Sequence, residues 1–206
     1  TPVINGPLVL SLLLKGDTVI MGGQFDAVNG SPRGFVALVH RTTGALFPYN
    51  ADVGPGVVQV RDMVLKGDTL ILAGTFGTVG GQPRLRLAQV NLATGALLPW
   101  NPNTNNSVYT IDYAGGQVYV GGLFTTLGGA NRTHIGAVDV STGMANGFAP
   151  GASDVVHDIR AAGSQVYACG AFTTFGGQTR NRLAQVSTTG VLGAWNPNAN
   201  FTVNEL

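Results

Sequence analysis

Charge is the scarcest resource in this chain. Only 10% of its 206 residues are Asp, Glu, Lys or Arg, and the formal net charge is +1. Ordinary soluble domains carry about 25% charge. Two lysines (Lys15, Lys66) and nine scattered arginines make no basic stripe, which excludes the electrostatic footprint of a nucleic-acid binder. Cysteine is nearly absent: Cys169 stands alone, so neither an internal disulfide nor a Cys-based zinc site is available, and the thiol reads as a small buried hydrophobe. No apolar run approaches the roughly 18 residues of a membrane-spanning helix, so no membrane insertion is expected. The first eight residues lack the charged start and cleavage region of a secretory signal. No window carries a helical period, because Gly and Pro interrupt every candidate.

What the chain has is glycine and repetition. Gly accounts for 31 residues, and 44% of the chain is apolar. Low charge with this apolar content argues against disorder. A Gly-x-Phe triplet occurs four times, as Gly23-Gln24-Phe25, Gly74-Thr75-Phe76, Gly122-Leu123-Phe124 and Gly170-Ala171-Phe172. Each copy is followed by a Gly pair or its equivalent (Asn29-Gly30, Gly80-Gly81, Gly128-Gly129, Gly176-Gly177) and then by an arginine (Arg33, Arg84, Arg132, Arg180). Thr-Gly comes next, at residues 43–44, 94–95, 142–143 and 189–190, and an aromatic closes the unit: Tyr49, Trp100, Phe148 or Trp195.

Within the second copy, Val57 to Leu65, Thr69 to Phe76, Leu85 to Leu92 and Ala96 to Trp100 read as four strands. Lys66-Gly67-Asp68 and Ala93-Thr94-Gly95 are turns, and 77–84 is a glycine-rich loop. Four-stranded meanders recurring every 40–50 residues are the signature of propeller blades. The expectation is an all-β β-propeller of four visible blades, each of four antiparallel strands, at approximately 8–56, 57–107, 108–155 and 156–204. A lone four-stranded sheet exposes two apolar faces and must stack on neighbours, which confines charge to turns and edges. The recurring Phe is expected to be the wedge between blades. The recurring Arg is expected to anchor the loop between second and third strands, and the closing aromatic to pack at the outer blade edge.

The string Gln117-Val118-Tyr119-Val120-Gly121-Gly122-Leu123-Phe124-Thr125-Thr126-Leu127-Gly128-Gly129 resembles the core of the bacterial delta-60 repeat, as does the run from Cys169 to Ala184 and the closing Trp195-Asn196-Pro197-Asn198. The resemblance spans residues 9–204. The first copy departs from it at Asn29-Gly30 and Tyr49, the third at Phe148-Ala149-Pro150. It implies a propeller in a secreted or surface-exposed bacterial protein and no catalytic residue. Thr1 to Gly6 resembles the tail of an earlier unit, and Phe201-Thr202-Val203 the start of a next first strand. A segment of a larger propeller is therefore expected, with a closed four-bladed ring as the alternative.

The first strands align Val9, Val60, Val108 and Val156, then Leu12, Met63, Ile111 and Ile159, as core columns. Between them lie Leu10, Arg61, Tyr109, His157 and then Ser11, Asp62, Thr110, Asp158. First strands of blades line a propeller's channel, so Arg61, Asp62, Tyr109, His157 and Asp158 are the candidate binding residues. Asp154 and Asp158 flank His157 at a spacing compatible with acid–base or metal chemistry. There is no calcium loop, phosphate loop, nucleophile elbow or zinc-protease helix. The expectation is a non-catalytic scaffold or binding module, extracellular or at the cell surface, with a protein or glycan partner, no nucleic acid, no metal and no cofactor. The alternative is a polysaccharide-acting enzyme domain, which needs paired carboxylates among Asp62, Asp112, Asp154 and Asp158.

Overall fold

A computed structural model describes residues 2–54 and 58–206. The chain forms two compact units, residues 1–99 and 100–206, each holding two repeats. All regular structure among the described residues is β. The first repeat contains β1 (Ile4–Asn5), β2 (Leu8–Lys15), β3 (Thr18–Gln24), β4 (Ala27–Val28), β5 (Ser31–Pro32) and β6 (Val36–His40). The second has β7 (Val60–Lys66), β8 (Thr69–Gly74), β9 (Thr78–Val79), β10 (Gln82–Pro83) and β11 (Leu87–Asn91). The third has β12 (Val108–Ala114), β13 (Gln117–Gly122), β14 (Thr126–Leu127), β15 (Ala130–Asn131) and β16 (Ile135–Asp139). The fourth has β17 (Val156–Ala162), β18 (Gln165–Gly170), β19 (Thr174–Phe175), β20 (Gln178–Thr179) and β21 (Leu183–Ser187).

Every repeat builds the same antiparallel sheet: β2-β3-β6, β7-β8-β11, β12-β13-β16 and β17-β18-β21. The expected fourth strand survives as a single bridge, Val39↔Leu46, Val90↔Leu97, Val138↔Ala145 or Val186↔Leu192. The stretch read as a loop at 77–84 is instead a miniature hairpin, β9 with β10, and it recurs in all four repeats. The segment that precedes each first strand docks on this hairpin. Ile4↔Val28, Val53↔Val79, Thr104↔Leu127 and Ala152↔Phe175 are the equivalent contacts. Of the first strand expected from Val57, the start lies outside the described residues, as does the boundary at 56–57; the strand runs Val60–Lys66.

The Gly-x-Phe triplet has a steric cause. A Cβ on Gly23, Gly74, Gly122 or Gly170 would lie 2.2, 1.9, 2.3 or 2.1 Å from the carbonyl oxygen of Leu8, Gln59, Ser107 or Val155. No side chain fits so close an approach of two backbones. The paired Phe25, Phe76, Phe124 and Phe172 are all buried. Each Phe carbonyl also accepts the amide of a residue with left-handed backbone just before the third strand: Phe35, Arg86, His134 and Arg182, φ 62 to 68°. That residue's carbonyl takes the amide of the triplet's glycine in return. Non-glycine residues in this conformation store strain, of order 1–3 kcal/mol each.

The arginine column does one structural job four times. Nη1 of Arg33, Arg84, Arg132 and Arg180 donates to the carbonyl of the preceding residue. Nη2 donates to the carbonyl of Phe47, Leu98, Asn146 or Gly193, just past the bridge residue. The guanidinium thus ties the miniature hairpin to the reduced fourth strand, using its fixed fork of donors.

Within the first unit, β7 packs on β2 and β3; a Cβ on Gly22 would strike Val60 and Met63. Within the second, β17 packs on β12 and β13, and Gly121 faces Val156 and Ile159 in the same way. One core expectation needs correction. Val60, Met63, Val108, Ile111, Val156 and Ile159 are buried, yet Val9 is exposed and Leu12 is 61% exposed. The register pairs Leu12 with Met21 and Ser11 with Gly22, so Leu12 lies on the face of the first sheet turned away from β7.

Candidate functional site

All five candidate residues sit at the start of first strands, and the backbone there is irregular. Register shifts fall between Val9 and Ser11, Val60 and Asp62, Val108 and Thr110, and Val156 and Asp158. The residue inserted at each bulge is Leu10, Arg61, Tyr109 or His157. Bulges re-aim a side chain and recur next to binding sites. The variable column is therefore a column of bulged residues, a feature the sequence did not announce.

Arg61 and Asp62 belong to the first unit, Tyr109, His157 and Asp158 to the second. Tyr109 and His157 stack, with ring centroids 5.6 Å apart and planes 22° from parallel. Asp158 is buried beside them and is held on all sides. Its Oδ1 accepts the Thr110 hydroxyl at 3.0 Å, the Ile159 amide at 2.9 Å and Nη1 of Arg160 at 2.8 Å. Its Oδ2 accepts the Leu206 amide at 2.9 Å. Val203 donates to the carbonyl of Gly170, so the C-terminal residues lie along the fourth repeat, in the relation to Asp158 that Ile159 has to Thr110. In the first unit, the Ser11 hydroxyl donates to Asp62 at 3.4 Å and the Met63 amide at 2.8 Å.

The other carboxylates of the enzyme alternative follow suit. Asp112 accepts the amides of Tyr113 and Ala161, and Asp154 that of Val155. Among the described residues no group of three or more His, Cys, Asp or Glu is placed to hold a metal ion. His134 is elsewhere, its Nδ1 2.9 Å from the Ala152 carbonyl oxygen. Cys169 is buried, in the column of Gly22, Ala73 and Gly121; burial pushes its thiol up to about 12, with the charge of Asp158 adding to the effect.

A second place was missed by sequence reasoning. In the first unit, a cavity of about 390 Å³ opens between the two repeats, lined by Leu38, Phe47, Tyr49 and Leu92, with Lys15 and Asp68 among its lining residues. Lys15 Nζ donates to Asp68 and to the Gly67 carbonyl, and this bond with the lysine's charge holds the Asp68 carboxyl below its usual range. Tyr49 is 2% exposed, its hydroxyl has no hydrogen-bond partner among the described residues, and burial raises its pKa well above the usual phenol value. The other closing aromatics differ. Trp100 is buried and donates its indole N–H to the Asp139 carbonyl at 3.0 Å. Phe148 is buried edge-on against Tyr119. Trp195 is 41% exposed and meets Tyr167 edge-on at 5.6 Å. Only the identity of Tyr49, set against Trp100, hinted at the cavity.

The comparisons with known proteins agree with this architecture. A family model described as a domain of unknown function (DUF5122) beta-propeller matches residues 68–97 and 165–192. The first runs from the turn before β8 and the second from the start of β18, each to the bridge residue of the reduced fourth strand, in the second and fourth repeats. No curated protein matches the chain. Among solved structures, the computationally designed Ika4 protein is similar at 14% identity and TM-score 0.56, covering 87% of this chain and 91% of that one. The designed Ika8 protein is similar at 14% identity and TM-score 0.55, covering 96% of this chain and 64% of its own. The WD40 beta propeller domain of Doa1 is similar at 13% identity and TM-score 0.63, covering 95% of this chain and 56% of that one. This chain thus spans less than two thirds of the Ika8 and Doa1 chains. At such identities the likeness speaks to fold alone: the chain is a β-propeller built of four like repeats.

Proposed function

We propose that this chain is a non-catalytic scaffold or binding module of delta-60 repeat type, in a secreted or surface-exposed bacterial protein, that engages a protein or glycan partner through its bulged first-strand residues. The observation that carries the reading is the use made of the carboxylates. Asp62, Asp112, Asp154 and Asp158 each accept the amide of the residue that follows, at 2.7 to 2.9 Å. Asp62, Asp112 and Asp158 also reach residues of a neighbouring strand or segment. Acid–base catalysis asks for a carboxyl within reach of a substrate proton and free to exchange it. These carboxylates serve as fixed acceptors that hold backbone in place. What varies on the constant frame is the bulge column, and the stacked Tyr109–His157 pair offers the aromatic and polar surface that recognition uses.

Glycan-array and pull-down screening of the intact chain tests this. Saturable binding, reduced at least tenfold by Tyr109→Ala or His157→Ala with unchanged melting, is the expected result. Turnover of any polysaccharide would put the enzyme alternative in its place, and binding untouched by both substitutions would move the surface elsewhere.

A further inference from the structure

We propose that the outer face of β2 docks on the fourth repeat of a second copy of this chain, in the seat that the C-terminal residues of that copy occupy. One column is buried three times and open once. Met63, Ile111 and Ile159 are each no more than 1% exposed, whereas Leu12, their equivalent, is 61% exposed. Leu14, two residues on and on the same face, is 69% exposed, and Leu8, Val9 and Leu10 add further apolar surface. Where the column is buried inside a unit, the preceding repeat covers it: Gly22 lies against Met63, and Gly121 against Ile159. Nothing among the described residues plays that part for Leu12. Open apolar surface gathered on one strand marks an interaction site.

The fourth repeat presents the matching half. Val203-Asn204-Glu205-Leu206 keeps the spacing of Val156-His157-Asp158-Ile159 and of Val9-Leu10-Ser11-Leu12. The Leu206 amide donates to Asp158 Oδ2 as the Ile159 amide donates to the Thr110 hydroxyl oxygen. These residues thus take the seat of a following first strand, and β2 offers the same Val-x-x-Leu start on a strand of eight residues. Two further groups fit. Ser11, whose bond to Asp62 is long at 3.4 Å, brings a hydroxyl to Asp158, the pairing that Thr110 already makes. Trp195 is 41% exposed, whereas Trp100 is buried and donates to the Asp139 carbonyl, which also accepts the Gly143 amide. In the first repeat, the His40 carbonyl accepts the Gly44 amide in the same way and is the acceptor that a second copy's Trp195 would meet. A contact whose two faces lie on different parts of the chain is heterologous, so each copy carries both halves.

Sedimentation equilibrium of the intact chain, from low micromolar to millimolar concentration, is the test. The mass is expected to rise from that of one chain to that of two or more. Leu12→Glu puts a carboxylate on the docking face, and Trp195→Asp spoils the opposite half; both side chains are exposed, so melting at low concentration should not change. Each substitution should weaken association at least tenfold. A mixture of the two variants keeps one intact contact per pair and should associate more tightly than either variant alone. Leu206→Pro removes the amide that holds the seat in Asp158's reach and should tighten association of the otherwise unaltered chain. A single-chain mass at every concentration in both wild type and Leu206→Pro overturns the proposal. So does association untouched by Leu12→Glu, or a mixture no better than its parts.

Discussion

The seam between β2 and β7 in the first unit and the seam between β12 and β17 in the second share one frame and differ in their polar clasp. In both, a glycine of the second strand faces a Val and a long apolar residue of the next repeat: Gly22 against Val60 and Met63, Gly121 against Val156 and Ile159. In the first, a half-buried serine reaches Asp62 at 3.4 Å. In the second, Thr110 reaches a fully buried Asp158 at 3.0 Å, and Arg160 and Leu206 donate to the same carboxylate. Shape alone therefore sets how repeats stack, while the polar column sets how firmly each seam is fastened.

The largest expected effect falls on what the seams share. Phe76→Ala and Phe124→Ala should each cost about 3–5 kcal/mol in denaturant unfolding, with little difference between units, because both rings are fully buried. A marked inequality between them would break the equivalence of the two frames. The clasp is where the units should part. Asp158→Ala leaves the buried Thr110 hydroxyl without its acceptor, and the Ile159 amide with that hydroxyl alone, and should cost about 2–3 kcal/mol, whereas Asp62→Ala should cost about 1 kcal/mol.

Gly121→Ala should cost about 2 kcal/mol by overpacking, since its Cβ would lie 2.7 Å from Val156 and 2.8 Å from both Ile159 and Thr110. Ala73 and Cys169 occupy that column elsewhere, so the cost measures how tightly the second seam is closed. The effect that is absent at neutral pH, and so the smallest there, is a pH dependence. Folding raises the Cys169 thiol from 9.0 to about 12, so the stability it confers is complete below pH 9 and drains away as pH rises from 9 toward 12. In reducing buffer, wild type should lose about 1.4 kcal/mol per pH unit above 9 relative to Cys169→Ala. Parallel curves for the two proteins would place the thiol in contact with water.

The repeat, its length and its buried Phe were legible because steric demands recur at fixed spacing: Gly23, Gly74, Gly122 and Gly170 are glycine for one reason, and so appear as one column. The arginine clamp was legible for the same reason. What stayed hidden is what no residue type marks. Phe35, Arg86, His134 and Arg182 share a left-handed backbone and no chemistry, so nothing in their names betrays the strain. The miniature hairpins are two residues a side and carry no hydrophobic period. The fourth strand is cut to one bridge because the chain turns at Thr-Gly and leaves the sheet soon afterwards. At the candidate site, the residue columns were legible, but the bulge that singles out Arg61, Tyr109 and His157 arises from register. The saturation of Asp158 depends on Thr110, 48 positions away, and on Leu206. The cavity is a mismatch between repeats, visible only once Tyr49 and Trp100 are seen in place.

The central claim is that the carboxylates of the first strands fasten repeat to repeat. A double-mutant cycle on Thr110→Ala and Asp158→Ala, read by equilibrium unfolding, tests it most directly. The account predicts a coupling of about 1–2 kcal/mol between the two positions; effects that add to within about 0.3 kcal/mol would contradict it.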